Sequence, residues 1–289
     1  MQVKFTFTLF FGCFAIYSLS VQAVCGPRIR KSWDRLTGQE KDVFKRAVQK
    51  SMDDGYYIKF VEMHTEMMSE MQAHRTCVFL FWHRRFITGF ENMLRAYGGE
   101  FACITLPYWD WVTDSARYAN KECKSMQDCS SILREIGGSA GPVKSVLING
   151  VGVGGYSCVA ASPMGHFCES SSVHGNQCAK CIPRGNWTKA AFPPSCNFAS
   201  LYSQVFTGKT MAEVSNSIER GSHSKFSVVS QQFQILCSNV KAYLFIILDS
   251  IHNSLSGTMA YLSSPADIVF YAHHVSFSFH YSFDLNRLN

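Results

Sequence analysis

The segment HRTCVFLFWHRRF, residues 74–86, carries a histidine on each side of an apolar run. From Trp82 to Leu94 the apolar side chains recur at helical spacing, and His83 falls on their face. Gly98–Gly99 then supplies a helix stop. The segment predicts a helix that begins at Trp82 and places a histidine on its buried side.

Two more helices are predicted upstream of this segment. Thr37 and Glu40 form a capping box ahead of an amphipathic first helix. A second helical pattern follows Asp53–Asp54–Gly55. Its broad apolar face holds Phe60, Val61, His64, Met67, Met68 and Met71.

Far downstream, residues 240–252 form a fourth helical pattern whose apolar face ends in His252. Ser264–Pro265–Ala266–Asp267 opens a fifth helix, which carries His273 and His274. Two helix pairs would then present histidines to each other. We predict a mainly α fold with a four-helix bundle core.

The histidines are more informative together than singly. One histidine on an apolar face is usually a hydrogen-bonded core residue. However, His64, His74 and His83 lie within 20 residues, with no acidic residue or cysteine at comparable inward positions. Imidazole-only ligation suits copper, zinc, iron or nickel. A second group on the other helix pair would make a binuclear centre, and its members are His252, His273 and His274.

Composition and charge limit the other function classes. The chain has 289 residues with 47% hydrophobic residues and a net charge of +6 that is spread without a basic block. This composition is typical of a globular protein, and nucleic acid is not an expected partner.

The first 23 residues contain one charged side chain, Lys4, followed by an apolar run that ends at Val21–Gln22–Ala23. This pattern is typical of a cleaved signal peptide. The alternative, a membrane anchor, would need about 20 apolar residues. We predict a secreted, extracellular protein that makes no membrane contact and has one mature domain, residues 24–289.

Cysteines support an oxidising compartment, because eleven remain after the leader is removed. Seven of them lie between Cys123 and Cys196, within a glycine-rich insertion of about residues 114–235. We expect this insertion to be rich in loops, poor in long regular elements and stapled by disulfides. Cys178–Ala–Lys–Cys181 could instead suggest a zinc knuckle, and the odd total predicts one unpaired thiol. Asn186–Trp187–Thr188 is an N-glycosylation sequon.

The segment 74–86, together with Leu106–Pro107–Tyr108–Trp109–Asp110–Trp111, resembles the first copper half-site of tyrosinases and related type 3 copper proteins. Residues 252–274 resemble the second half-site. The resemblance implies two copper ions, the first held by His64, His74 and His83 and the second by His252 and His274.

Two departures from the family pattern stand out. The second half-site normally contains a histidine pair four residues apart, whereas Leu248 precedes His252 by four and Ser256 follows it by four. We place the vacant ligand position at Leu248, and Ser256 is the alternative register. Substitute ligands would be His273 or His280.

The second departure lies near the end of the chain. Ser278 stands where the family has an aspartate followed by arginine, and the usual continuation is missing. This ending is consistent with a truncated or misread gene model.

The resemblance implies oxidation of monophenols or o-diphenols to o-quinones with dioxygen. Because one ligand is missing, we expect this chain to be poorly active. The alternatives are an oxygen-binding protein without turnover, a pseudoenzyme that holds one copper, and a structural zinc protein.

The remaining motifs have structural interpretations. The aromatics of residues 108–111 are expected to fill the bundle, with Asp110 bonded to a neighbouring helix or a ligand imidazole. Cys77 is expected to form a disulfide, with Cys103 as one candidate partner. Three further histidines are expected at the surface, namely His166, His174 and His223.

Overall fold

The computed structural model describes residues 25–74, 76–206, 208–219 and 251–276. The predicted leader and the C-terminal departure lie outside these ranges. The predicted residues His223, Leu248, Ser278 and His280 also lie outside them, as does Cys237, the last cysteine of the sequence.

The described chain is mainly helical. Its α-helices, in chain order, are α1 Gly38–Asp53, α2 Tyr56–Thr65, α3 Met67–Ala73, α4 Phe79–Arg95, α5 Trp111–Ala119, α6 Met126–Cys129, α7 Ser131–Glu135, α8 Phe198–Phe206, α9 Met211–Ile218 and α10 Ile251–Leu255. An eleventh, α11, occupies residues 269–276. The strands are β1 Val143–Ile148, β2 Val151–Val159 and β3 Ile182–Arg184, in one antiparallel sheet of order β1-β2-β3.

Aromatic packing joins the N-terminal helices to the C-terminal ones. The ring of Phe90 in α4 stacks on Tyr271 in α11 at a centroid distance of 3.7 Å. Tyr57 in α2 packs edge-on against Phe90 at 5.5 Å, and its hydroxyl donates to the carbonyl of Ala266 at 3.1 Å. The predicted helical bundle therefore forms around buried aromatic rings from both ends of the chain.

The start of the bundle is as predicted. Thr37 caps α1 by accepting from the backbone N–H of Glu40, and the Glu40 carboxylate accepts from the backbone N–H of Thr37. This reciprocal pair satisfies two amides that have no partner within the helix.

The second predicted helix is interrupted. Glu66 is extended, with ψ of 132°, and its carboxylate accepts from the backbone N–H groups of Met68 and Ser69. This cap starts a new helix, α3, and turns its side chains away from the face of α2. Met67 and Met68 are consequently 70% and 55% exposed, so the prediction that they belong to the buried face was wrong.

Two further boundaries differ from the predictions. The helix expected at Trp82 begins one turn earlier, at Phe79. The segment Ser264–Ala266 is a short 3-10 turn, and the regular helix begins at residue 269. His252 lies in α10 as expected, although residues 240–250 of that predicted helix are outside the described residues.

The insertion contains more regular structure than predicted. The hairpin of β1 and β2, whose second strand has nine residues, turns at Asn149–Gly150. Both turn residues have positive φ, 44° and 81°, which the twist of a two-residue hairpin turn requires and which asparagine and glycine tolerate. The expectation of a region poor in long regular elements was therefore wrong.

Disulfides staple the insertion as expected. Its pairs are Cys123–Cys129, Cys158–Cys181 and Cys168–Cys178, and Cys25–Cys103 joins the start of the described chain to the segment after α4. Cys178 and Cys181 have different partners, which excludes a zinc knuckle.

Two other described cysteines, Cys77 and Cys196, differ in their state. Cys77 is disulfide-bonded, as predicted, but not to the suggested Cys103. Cys196 is a free, buried thiol. Among the described helices none combines the length and hydropathy of a membrane span.

Candidate metal centre

Three helices bring the first histidine group together. His64 lies at the end of α2, His74 directly follows α3, and His83 lies in the second turn of α4. One ligand atom from each ring lies within 4.8 Å of the other two. An ion at their centre would lie roughly 3 Å from each nitrogen, so small side-chain adjustments would reach the imidazole–metal bond length near 2 Å.

Backbone carbonyls orient two of these rings. The Nδ1 of His64 lies 2.8 Å from the carbonyl oxygen of Leu262, and the Nδ1 of His83 lies 2.9 Å from that of Phe79. A carbonyl only accepts, so each Nδ1 carries the proton and donates. Each Nε2 then has a lone pair for a metal, the tautomer arrangement of metal-binding histidines.

The Nε2 of His64 provides the test of metal fit. This atom is buried and has no hydrogen-bond partner among the described residues. A buried polar atom left unsatisfied costs about 1–3 kcal/mol. A metal ion at the centre of the group would satisfy it, and the donor set of three imidazoles fits copper.

Burial keeps the imidazoles of His64 and His83 neutral. The pKa values of His64 and His83 lie well below the usual 6.5, chiefly because burial disfavours the charged ring and also because a neighbouring His74 charge would repel. Neutral imidazole is the form that binds metal. His74 is the more accessible member, with a side chain 15% exposed and the Glu70 carboxylate 4.0 Å from its Nδ1.

A second histidine group lies beside the first. The centroid of the His252 ring is 5.1 Å from that of His273 and 5.7 Å from that of His274. His252 Nδ1 donates to the carbonyl of Met259 at 2.6 Å, so its Nε2 is the unprotonated ring nitrogen. Burial lowers the pKa of His252 to about 4 and also lowers that of His273.

The two groups differ in how tightly they gather. Within the described ranges, His64, His74 and His83 are the only three potential ligands whose donor atoms all lie within 4.8 Å of one another. The rings of the second group cluster without meeting this limit.

Phe270 and a pair of stacked imidazoles join the two groups. His83 stacks on His274 with centroids 4.5 Å apart and planes 14° apart. The centroid of the Phe270 ring lies 5.3 Å from that of His64 and 6.1 Å from that of His252, and Phe270 is 1% exposed. Phe270 therefore forms a buried apolar wall that the two groups share.

Ser256, the alternative position for the absent ligand, lies beyond the end of α10 with φ of 54°. Its hydroxyl donates to the phenol oxygen of Tyr156 at 3.2 Å, in the insertion. The side chain is thereby turned toward β2. Leu248 lies outside the described residues.

A buried ion pair that the sequence did not indicate supports the second group. Arg184 in β3 makes two hydrogen bonds to Asp267, with Nε–Oδ2 of 2.7 Å and Nη2–Oδ1 of 2.8 Å. Asp267 Oδ1 also accepts from the backbone N–H of Val269, at the start of α11. Arg184 further donates to the carbonyls of Ile136 and Gly138. The insertion thus holds the helix that carries His273 and His274.

The same strand, with Trp187 just beyond its end, also holds the segment after His252. The indole N–H of Trp187 donates to the carbonyl of Leu255 at 2.7 Å, and the Thr258 hydroxyl donates to that of Pro183 at 2.8 Å. Gly257 is required here, because a Cβ would lie 2.6 Å from the Pro183 oxygen. β3 and the residues directly after it therefore position both parts of the second group.

The motif of residues 108–111 is structural, as expected, with one correction. Trp109 and Trp111 are buried. Asp110 caps its own helix, α5, by accepting from the backbone N–H and the hydroxyl of Thr113. The expected bond to another helix or to a ligand imidazole is therefore absent in the described structure.

Two of the three histidines expected at the surface are exposed. His166 and His174 lie in the insertion, where His166 pairs with Asp53 at 2.8 Å. Within the described residues, neither ring packs against a histidine of the first or the second group.

Comparisons with known proteins identify relatives. The tyrosinase family, described as the common central domain of tyrosinase, matches residues 54–278. A tyrosinase of Streptomyces lincolnensis is 42% identical over 96 residues, which cover 31% of this chain and 34% of that protein. Tyrosinase ustQ of Aspergillus flavus is 25% identical over 256 residues, which cover 86% of this chain and 61% of that protein.

A solved polyphenol oxidase variant from Thermothelomyces thermophila matches with a TM-score of 0.48 and 19% identity, covering 86% of this chain and 68% of that one. The match to the Streptomyces tyrosinases spans about a third of their length. Because the family match covers residues 54–278, which include both histidine groups, the chain belongs to the tyrosinase family, and the metal that this family implies is copper.

Proposed function

We propose that this protein is a secreted copper-dependent oxidoreductase that oxidises monophenols or o-diphenols to o-quinones with dioxygen. The observation that carries the proposal is the gathering of His64, His74 and His83 around one point, with a second buried histidine group beside them. Membership of the tyrosinase family supports the metal and the reaction class.

In this proposal, His64, His74 and His83 hold the first copper, and His252 and His274 hold the second, with His273 as a substitute ligand. Bound copper would supply the redox chemistry between the phenol and dioxygen. The backbone carbonyls of Leu262, Phe79 and Met259 keep each Nδ1 protonated and each Nε2 directed to a metal. Phe270 keeps water from the space between the groups.

The cellular setting is part of the proposal. Four disulfides in the described chain favour an oxidising compartment. Asn186 and Thr188 are exposed, and the Thr188 hydroxyl donates to the Asn186 side-chain oxygen at 2.6 Å. We propose export with removal of residues 1–23 and an N-linked glycan on Asn186.

A second candidate function is a pseudoenzyme that holds a single copper. It is favoured by the tighter gathering of the first group and by the leucine at position 248. The two candidates differ in copper content, because an intact pair binds two ions per chain and the pseudoenzyme binds one.

The test is metal analysis of the full chain after expression through a secretory pathway, combined with an assay of o-quinone formation. For the oxidoreductase we expect one tightly held copper, a second copper held more weakly and weak quinone formation in the unaltered chain, because losing even an outer contact costs about 10–100-fold in metal affinity. A pseudoenzyme would bind one copper and form no quinone. Leu248→His should raise the copper content to two and increase quinone formation, since the sequence predicts a helix over residues 240–252, in which positions i and i+4 share one face.

Ser256→His is the matched control. It places an imidazole four residues on the other side of His252, where the native side chain faces Tyr156, so we expect no gain of copper. A second copper in Ser256→His but not in Leu248→His would show that the missing ligand belongs at position 256 and not at position 248. Zinc in place of copper would contradict the proposed function, and bound dioxygen without quinone would identify an oxygen carrier.

A further inference from the structure

Methionine exposure is unevenly distributed along the described chain. Met52, Met126, Met164 and Met259 are at most 3% exposed and serve ordinary core packing. The methionines with exposed side chains are Met63, at 49%, Met67, at 70%, and Met68, at 55%. All three lie in the short stretch that begins beside His64 and ends before His74.

Core packing does not account for these methionines. Only Ala73 is buried in α3, although three of its seven residues are methionines. Met71 is half-buried and lies one turn after Met67, so the two share a helix face. Soluble chains normally place such large apolar side chains inside, and a local cluster on the surface is a sign of binding.

The cluster adjoins the accessible side of the first histidine group. His74 directly follows α3, and its side chain is 15% exposed, whereas His64 and His83 are buried at 2% and 4%. An ion that reaches the three imidazoles by the least buried route therefore passes α3 and His74.

Carboxylates surround the same stretch. Glu66 caps α3 and is exposed, and Glu70 lies 4.0 Å from His74. Their negative charge raises the local concentration of cations. The methionines supply soft thioether sulfurs, which favour Cu(I) over harder ions.

We propose that Met63, Met67, Met68 and Met71 form a Cu(I) capture site that loads the histidine group of His64, His74 and His83. The transfer to the imidazoles rests on the proposed function, whereas capture by the thioethers does not. The step is a ligand exchange: copper–sulfur bonds break as copper–nitrogen bonds form. Copper stays Cu(I), and neutral imidazole releases no proton.

The first experiment measures capture in the full-length chain. Under anaerobic conditions, a coloured Cu(I) chelator competes with the unaltered protein, with the triple variant Met67→Leu, Met68→Leu, Met71→Leu, and with Met93→Leu. Leucine preserves side-chain volume and removes the sulfur. We expect the triple variant to lose one Cu(I) equivalent and Met93→Leu, a half-buried control, to lose none.

A His64→Ala variant separates capture from the histidine site. It should retain the chelator-competing Cu(I) with copper–sulfur bonds in X-ray absorption. Loss of all Cu(I) binding in His64→Ala would overturn the capture site. Retained capture without quinone formation by the unaltered chain would contradict only the proposed function.

The second experiment measures loading. Supplied with Cu(I), the triple variant should fill the histidine site about tenfold more slowly than the unaltered chain. This factor is the lower limit of the effect that losing an outer contact has on a metal site. Its final copper content after prolonged exposure to Cu(II) should match that of the unaltered chain. Equal loading rates would overturn the proposal.

A shift of the triple variant from dimer to monomer, with unchanged Cu(I) uptake, would instead identify the methionine cluster, with neighbouring Val78 and Phe81, as a contact between two copies of the chain.

Discussion

At the scale of single residues, burial rather than a charged partner determines the state of the histidines. The rings of His64, His83, His252 and His273 have lowered pKa values mainly because they are desolvated. Each is therefore neutral at pH 7 and suited to a metal. The same property makes the metal-free fold sensitive to acid.

We predict that the metal-free chain loses stability as the pH falls below about 6.5. The folded pKa of these histidines is lower than the unfolded value near 6.5, so the unfolded chain binds more protons. Their stabilisation is complete above that pH and is lost as the pH falls toward the folded pKa, about 4 for His252. His252 alone would account for about 3 kcal/mol.

Urea unfolding of metal-free protein between pH 4.5 and 7.5 measures this loss. His252→Gln should flatten the pH dependence, and His174→Gln, at an exposed histidine outside both groups, is the control variant. Equal slopes for His252→Gln and the unaltered chain would contradict the assignment of the acid sensitivity to His252.

At the scale of secondary-structure elements, β3 is the element on which the second histidine group depends most. We predict that Arg184→Met destabilises the fold by about 3–5 kcal/mol, because Asp267 would remain buried and uncompensated. Arg46→Met removes an exposed pair with Glu100 and should cost less than about 1 kcal/mol.

Denaturant unfolding of the two variants provides the measurement. The double variant Arg184→Met, Asp267→Asn should recover part of the loss, since no unpaired charge stays buried. A cost for Arg184→Met no greater than that for Arg46→Met would show that the ion pair does not hold α11.

The elements that carry the histidines were largely predictable, and the reason is local. Apolar periodicity predicted α1, α2 and α4, because one face of each helix packs in the core, and the capping box marked the start of α1. The same periodicity misplaced Met67 and Met68, since it treats every methionine as a core residue. The signal that could have corrected it was Glu66, which can cap a new helix as well as continue an old one.

Other features were predictable in principle or not at all. The Asn149–Gly150 pair is a strong hairpin signal that the abundance of nearby glycines obscured. The Arg184–Asp267 pair spans 83 residues, and no local pattern relates two residues so far apart. The spacing of His64, His74 and His83 on apolar helix faces already indicated a shared site, and the family resemblance supplied the metal and the assignment of all three as ligands.

At the scale of the whole molecule, the first histidine group is built by both ends of the chain. Its ligands come from α2 to α4, whereas the carbonyl that orients His64 belongs to Leu262 and the ring that stacks on His83 belongs to His274. An ion bound there would therefore hold the two ends of the sequence against each other.

We predict that copper raises the thermal midpoint of unfolding of the whole chain. At a hundredfold excess over the dissociation constant, binding to the folded state alone adds about 2.7 kcal/mol, which corresponds to roughly 5–10 °C for a domain of this size. Differential scanning fluorimetry with and without copper measures the shift, and a chelator should reverse it. His64→Ala should lose most of the shift, because the remaining imidazoles cannot complete the first site. A full shift in His64→Ala would mean that copper stabilises the fold from another place, and the first group could then not be the principal metal centre.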